Sequence, residues 1–262
     1  MQSHSHRLIS LSKAQIDEFY EQGWLKIPDV FDSSEITQMR ESFDSLVRMA
    51  LPLKTTQLYK GSYFVLGQAN EKTIIHRIVW CGAAEPILLK FGGDQRLLKM
   101  AGAILGCSDV QQLINQAHFK IPGDGVEFPW HQDIQHRSKR EGDWTDVNGR
   151  GSYVQMVLAL DDMTENNGPL KFIPGSHKSG KLDLGGDGYE SPTRTEMLNT
   201  ASAVSAEARS GSVVLFGPYT VHGSFPNQSS TPRRVFINGF AYPGANRRIY
   251  PGEGSGRILH VP

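Results

Sequence analysis

Pro129-Trp130-His131-Gln132-Asp133 is the stretch on which the reading of the fold turns. Taken as extended chain, with side chains alternating at a period of two, it sends His131 and Asp133 to one side and Gln132 to the other. Far downstream, Val221-His222-Gly223-Ser224 offers a second imidazole. Two histidines and one carboxylate on adjoining strands form the facial triad of a non-haem Fe(II) site, which leaves three positions of the ion open for substrate and O2. A His-x-Asp pair alone is a weak signal, because a turn histidine beside an N-capping aspartate has the same spelling.

Working outward, the runs Ala117–Ile121, Tyr153–Leu160, Leu170–Ile173, Val213–Phe216 and Val235–Ala241 are short, rich in β-branched or aromatic residues, and bounded by Gly, Pro, Asn and Asp. They read as strands. Upstream the period is helical. Ser12 and Gln15 make a capping box that opens a short helix, which Gly23 ends. Ser33 or Ser34 caps a second, with Ile36, Met39, Phe43, Leu46, Val47 and Ala50 at helical spacing until Pro52. Leu97, Leu98, Ala101, Ile104 and Leu105 mark a third, closed by Gly106. Helices first and strands afterwards predict an α+β, mainly β fold, a β-barrel or sandwich flanked by N-terminal helices. One domain over 1–262 is expected, with the flank at about 10–110 and the core at about 111–245. Two long polar segments, 136–152 and 179 to about 209, interrupt the strands and have the length of functional loops.

Composition narrows the function classes. The 27 Lys+Arg balance 27 Asp+Glu, so no net charge draws the chain to nucleic acid or acidic lipid. Two cysteines, Cys81 and Cys107, build no disulfide framework, and no apolar run reaches the ~18–20 residues of a membrane span. With no hydrophobic leader after Met1, a cytoplasmic protein is expected. His4 and His6 read as a chance pair. The 27 Gly and 14 Pro suit many turns between short strands.

The segment from Gly223 to Arg233 is rich in turn residues. If Val213–Thr220 and Val235–Ala241 form a hairpin centred between Asn227 and Gln228, His222 and Arg233 fall opposite each other. A 2-oxo acid that chelates a metal through its keto oxygen and C1 carboxylate carries a second carboxylate, for which arginine offers a bidentate fork. Ser224 adds a hydroxyl donor, and Arg234, facing the other way, points outward. Gln155, polar within an apolar strand, is placed on a cavity wall in contact with the cosubstrate, and either His118 or Lys120 faces the same pocket, Lys120 toward a cosubstrate carboxylate. The basic cluster His136, Arg137, Lys139 and Arg140 reads as a solvated loop face, or else as an attractor of an anionic substrate with Trp144 covering the pocket. Gln132, His136, Arg137 and Trp144 are the candidate substrate contacts. His177 reads as a structural turn histidine.

Three pieces in this order, Trp130-His131-Gln132-Asp133, Leu160-Asp161-Asp162 … Asn167-Gly168-Pro169-Leu170 … Ile173-Pro174-Gly175-Ser176-His177, and His222-Gly223-Ser224 … Asn227 … Arg233, together resemble the phytanoyl-CoA dioxygenase family over about residues 14–245. The resemblance implies a double-stranded β-helix (jelly-roll, cupin-like) core, Fe(II), 2-oxoglutarate as cosubstrate, O2, and hydroxylation of a small organic molecule, polar or anionic, with release of succinate and CO2. It assigns the iron to His131, Asp133 and His222, and the cosubstrate C5 carboxylate to Arg233 and Ser224. The retained Asp133 favours hydroxylation over the halogenation of relatives that carry a small residue there. Coenzyme A recognition does not follow from the family name. The rivals are a zinc hydrolase using the same three ligands to activate water, and a jelly-roll binding protein with a vestigial metal site. The expected partner is a small molecule, with no nucleic acid and no membrane, and the oligomeric state is open.

Overall fold

The structure, a computed structural model, describes residues 10–69, 72–185 and 194–262. His4, His6 and part of the 179–209 segment lie outside the described residues. In chain order the elements are α1 (Lys13–Gln22), β1 (Trp24–Ile27), α2 (Ser33–Ala50), β2 (Gln57–Tyr59), β3 (Ser62–Ala69), β4 (Lys72–Val79), α3 (Pro86–Gly92), α4 (Gln95–Leu105), β5 (Asp109–Lys120), β6 (Phe128–His131), α5 (Ile134–Arg137), β7 (Tyr153–Ala159), β8 (Leu170–Phe172), β9 (Val204–Ser205), β10 (Val213–Phe216), β11 (His222–Ser224), β12 (Arg233–Ala241) and β13 (Arg257–His260).

Local chemistry sets the helix ends. The Ser12 hydroxyl accepts from the Gln15 N–H while the Gln15 side chain accepts from the Ser12 N–H, and Gly23 stops α1 at φ +83, in the left-handed region that a residue without Cβ adopts at little cost. The second helix is capped by Asp32 rather than by Ser33 or Ser34. Its carboxylate accepts from Ser34 N and Glu35 N, and Glu35 returns the contact to Asp32 N. A charged acceptor with a glutamate three residues on makes a better box than the serines beside it. Asp94 caps α4, which ends at Gly106.

Two antiparallel sheets make the jelly roll. The larger runs β1-β10-β7-β12-β5-β4-β3-β2, with β13 also on β5, and the smaller runs β6-β11-β8-β9. The N-terminal flank is therefore not purely helical. β1 completes one edge by pairing with β10, Trp24 opposite Phe216 and Ile27 opposite Val213, while β4 extends the sheet beyond β5, Arg77 opposite His118. These segments carry a weak periodic signal because a strand of four residues, or one mixing charges with β-branched residues, is stabilised by its partner edge. The expected hairpin is also absent: β10 lies between β1 and β7, β11 in the other sheet between β6 and β8, and β12 between β7 and β5. The chain crosses from one sheet to the other on each side of β11.

The larger sheet has two distinct faces. Phe119, Met156, Leu158, Leu215, Phe236 and Phe240 join Met39, Phe43 and Leu46 of α2 in one buried cluster. The ring of Phe43 lies 5.2 Å from that of Phe119 and 6.3 Å from that of Phe236. The alternate residues of the same strands, Lys120, His118, Gln155, Val157, Arg233, Val235 and Ile237, line a cavity between the sheets. Register holds these sets together, because Arg233 is opposite Lys120 and Val235 opposite His118. Cys81 and Cys107 are free thiols, and no helix is long and apolar enough to cross a membrane. Phe43→Ala, which empties the centre of the helix–sheet layer, is expected to cost about 3–5 kcal/mol of stability in a urea titration. A loss below about 1 kcal/mol would mean that α2 is not packed as described.

Candidate metal centre and cosubstrate cavity

The site begins with one register. β11 pairs with β6 so that His222 stands opposite His131, with ring centroids 4.2 Å apart. Each ring is turned by a carbonyl two residues before it. His131 Nδ1 bonds to Pro129 O at 2.7 Å and His222 Nδ1 to Thr220 O at 2.9 Å. With Nδ1 donating to a carbonyl, the proton is off Nε2 and its lone pair faces inward. Burial holds both imidazoles below their ordinary pKa, His222 at about 3 with the neighbouring His131 adding to the effect, so both are neutral donors near pH 7.

Asp133 reaches the same point by a route other than strand alternation. β6 ends at His131, and Asp133 is αR (φ −60, ψ −26) at the start of α5. It occupies an N-cap position yet makes no capping hydrogen bond. Its Oδ1 lies 3.9 Å from His131 Nε2 and 4.0 Å from His222 Nε2. Two ligands held about 2.0–2.2 Å from one ion can span roughly 4 Å, and one donor atom from each residue lies within 4.8 Å of the others. Among the described residues this is the one such His/Asp group found, and Asp133 Oδ2 is buried without a hydrogen-bond partner. Three convergent donors, two neutral and one anionic, fit a divalent ion with an open side.

Surrounding contacts pin these three side chains. Thr220, whose carbonyl turns His222, donates its hydroxyl to Gly23 O at 2.6 Å, tying the end of α1 to the segment that leads into β11. Gln132 is fully buried and faces away from the cavity. Its Nε2 donates to Gly180 O and Tyr219 O, and its Oε1 accepts from Leu182 N, so its amide fastens two loops instead of reaching the cavity. His177 sits in a turn with Nε2 bonded to Tyr20 O at 2.8 Å.

Arg233 and Lys120 stand side by side on the cavity wall, both at most 3% exposed. Arg233 Nη2 donates to Gly168 O at 2.6 Å, and its Nε has no partner. Gly168 lies at φ +73 with Phe225 O against the position of any Cβ, which explains glycine there. Lys120 Nζ donates to Phe225 O. Among the described residues no carboxylate lies within ion-pairing distance of either cation. Burial lowers Arg233 to about 10, and burial together with Arg233 lowers Lys120 to about 6. Ser224, Gln155 and His118 share this cavity, so both His118 and Lys120 face it. Tyr153 donates its hydroxyl to Gln155 Oε1. Arg234 points the other way, onto Asp161 and Asp44.

The basic cluster divides. Lys139 and Arg140 are exposed, but His136 and Arg137 are buried, which corrects the solvated-loop reading for those two. His136 places its ring 5.6 Å from that of His131, and burial, then the nearby imidazole and cations, push its pKa far down. Arg137 Nη2 lies 4.0 Å from Asp133 Oδ2, a contact that the i,i+4 spacing on a helix makes legible only once α5 is known. Trp144 packs on Tyr153 and does not line the cavity between the sheets.

The sequence profile described as phytanoyl-CoA dioxygenase (PhyH) matches residues 19–235. The ectoine dioxygenase of Sphingopyxis alaskensis is 25% identical over 238 residues, covering 85% of this chain and 73% of its own. The L-proline trans-4-hydroxylase of Streptomyces griseoviridis is 23% identical over 240 residues, covering 82% and 81%. The crystal structure of EvdO2 from Micromonospora carbonacea var. aurantiaca, complexed with 2-oxoglutarate, superposes with a TM-score of 0.70 at 22% identity, covering 95% and 97%, a likeness of fold. A direct check of the centre is Co(II) binding by equilibrium dialysis: His222→Ala is expected to lose it and His177→Ala to retain it. Parental binding in His222→Ala would place the metal elsewhere.

Proposed function

Because the chain belongs to the phytanoyl-CoA dioxygenase family, we propose that it is an Fe(II)- and 2-oxoglutarate-dependent dioxygenase that hydroxylates a small polar or anionic molecule. The observation that carries this reading is the pair of buried basic side chains, Lys120 and Arg233, facing the cavity that holds His131, Asp133 and His222. A buried guanidinium with no acid to pair it, beside an amine that burial and Arg233 hold mostly neutral, leaves the cavity short of negative charge, and a dianionic cosubstrate supplies it.

When bound, the Fe(II) supplies the redox chemistry by which O2 converts 2-oxoglutarate to succinate and CO2 while a C–H bond of the substrate becomes C–OH. The chain's own residues do the rest. His131, Asp133 and His222 hold the ion on one side and leave the other open. Arg233, steered by Gly168 O, presents its fork to the distal carboxylate, with the Ser224 hydroxyl beside it and Lys120 adding a second donor. The apolar wall of Val157, Phe216, Val235 and Ile237 keeps the cavity dry, which strengthens each of these contacts. A zinc hydrolase needs the three ligands but has no use for the two cations, and a bare binding protein has no use for the metal triad.

Two measurements follow. Purified protein is expected to form succinate from 2-oxoglutarate only with Fe(II) and O2. Arg233→Ala, losing a charge-assisted contact of about 1.5–3 kcal/mol, should raise the 2-oxoglutarate requirement roughly 10- to 150-fold, and an unchanged requirement would remove Arg233 from the site. Lys120, mostly neutral above pH 6 while the cavity holds no anion, gains a proton when a carboxylate arrives and raises its pKa. Cosubstrate affinity should therefore fall as pH rises above about 6, and calorimetry in buffers of different ionisation enthalpy should show proton uptake at pH 7.5 that Lys120→Met abolishes. No uptake in the parent protein would contradict this placement.

A further inference from the structure

Asp133 enters the metal cluster with one oxygen to spare. Oδ1 faces the two Nε2 atoms, whereas Oδ2 is buried and receives no hydrogen bond. The cation beside Oδ2 is Arg137, one helical turn along α5, with Nη2 at 4.0 Å. Arg137 is itself buried and fixed from other directions. Its Nη2 donates to Tyr153 Oη at 3.1 Å, and its guanidinium lies over the Tyr153 ring at 4.6 Å and the Tyr250 ring at 5.3 Å. Tyr153 in turn bonds to Gln155 on the cavity wall. A planar cation stacked on an aromatic ring and bonded to its hydroxyl gives up little further entropy when it engages a carboxylate.

We propose that Arg137 is a positioning residue that holds Asp133 through Oδ2, so that the carboxylate ligates the metal by Oδ1 alone and leaves the open positions to the cosubstrate. The inference rests on the metal reading above and deepens it. A carboxylate is able to bind a divalent ion through one oxygen or two. Two-oxygen ligation would take one of the three open positions, so that a chelating 2-oxo acid would have to displace that oxygen or fill the ion completely and leave no place for O2. The guanidinium competes with the metal for Oδ2, and Tyr153 and Tyr250 fix where it does so. Outer contacts that orient a ligand in this way typically change metal affinity or activity 10–100-fold when lost.

The test uses Co(II)-loaded protein, whose visible spectrum reports coordination number, together with 2-oxoglutarate binding to the same protein without turnover. Arg137→Met is expected to change the Co(II) spectrum and weaken 2-oxoglutarate binding at least ~10-fold, with Arg137→Lys recovering part of the loss. Tyr153→Phe, which keeps the ring and removes only the hydroxyl, is expected to shift both readouts in the same direction by a smaller amount and covers the case in which Arg137→Met fails to fold. A parental spectrum and affinity in Arg137→Met, or in Tyr153→Phe where that variant alone is folded, overturns the proposal while leaving the metal reading intact. Absence of Co(II) from the parent protein's His131/Asp133/His222 site overturns both.

Discussion

The antiparallel register that sets His222 opposite His131 is the constraint on which the rest depends. A slip of one residue between β6 and β11 would send one imidazole to the other face and leave Asp133 with a single partner. The fold defends this register from several sides. The Thr220 hydroxyl anchors the approach to β11 on the end of α1, Gln132 fastens the loops at 180–182 and 219, and β8 pairs with the far edge of β11. Each imidazole is then turned by a carbonyl two residues earlier in the chain, so the orientation of the donors is a property of the backbone.

The second theme is charge. The larger sheet uses the alternation of its strands to divide labour, apolar residues toward α2 and polar or cationic residues toward the cavity. Arg233 and Lys120 are neighbours across β12 and β5, and burial, with repulsion from Arg233 added to it, pushes Lys120 down to about 6. A folded protein tolerates such a pair where an anion completes it. Backbone carbonyls, Gly168 O and Phe225 O, aim the two cations without neutralising them.

Much of this was legible from local chemistry. The Ser12 box, the stop at Gly23 and the five strand runs follow from spacing, whereas the grouping of His131, Asp133 and His222 draws on the resemblance of three sequence pieces as well. What escaped was set by partners distant in the chain. β1 and β4 are strands because sheet edges await them. The expected hairpin between β10 and β12 reached the correct cavity for Arg233 by the wrong path: His222 and Arg233 lie on different sheets facing one space, not on paired strands. Asp133 likewise converges through a turn into α5 and not through strand alternation. Arg137 gave no sign of burial, because a basic run reads as solvated until two tyrosines from elsewhere close over it.

The central claim is that one cavity holds both a ferrous ion and a 2-oxo acid, and anaerobic visible spectroscopy addresses it most directly. Adding Fe(II) and then 2-oxoglutarate to the metal-free protein is expected to produce the charge-transfer absorption of a 2-oxo acid chelated to ferrous ion, with one cosubstrate per protein at saturation. Ferrous binding with no such band would mean that the cations of the cavity serve some other anion, and the dioxygenase reading would fall.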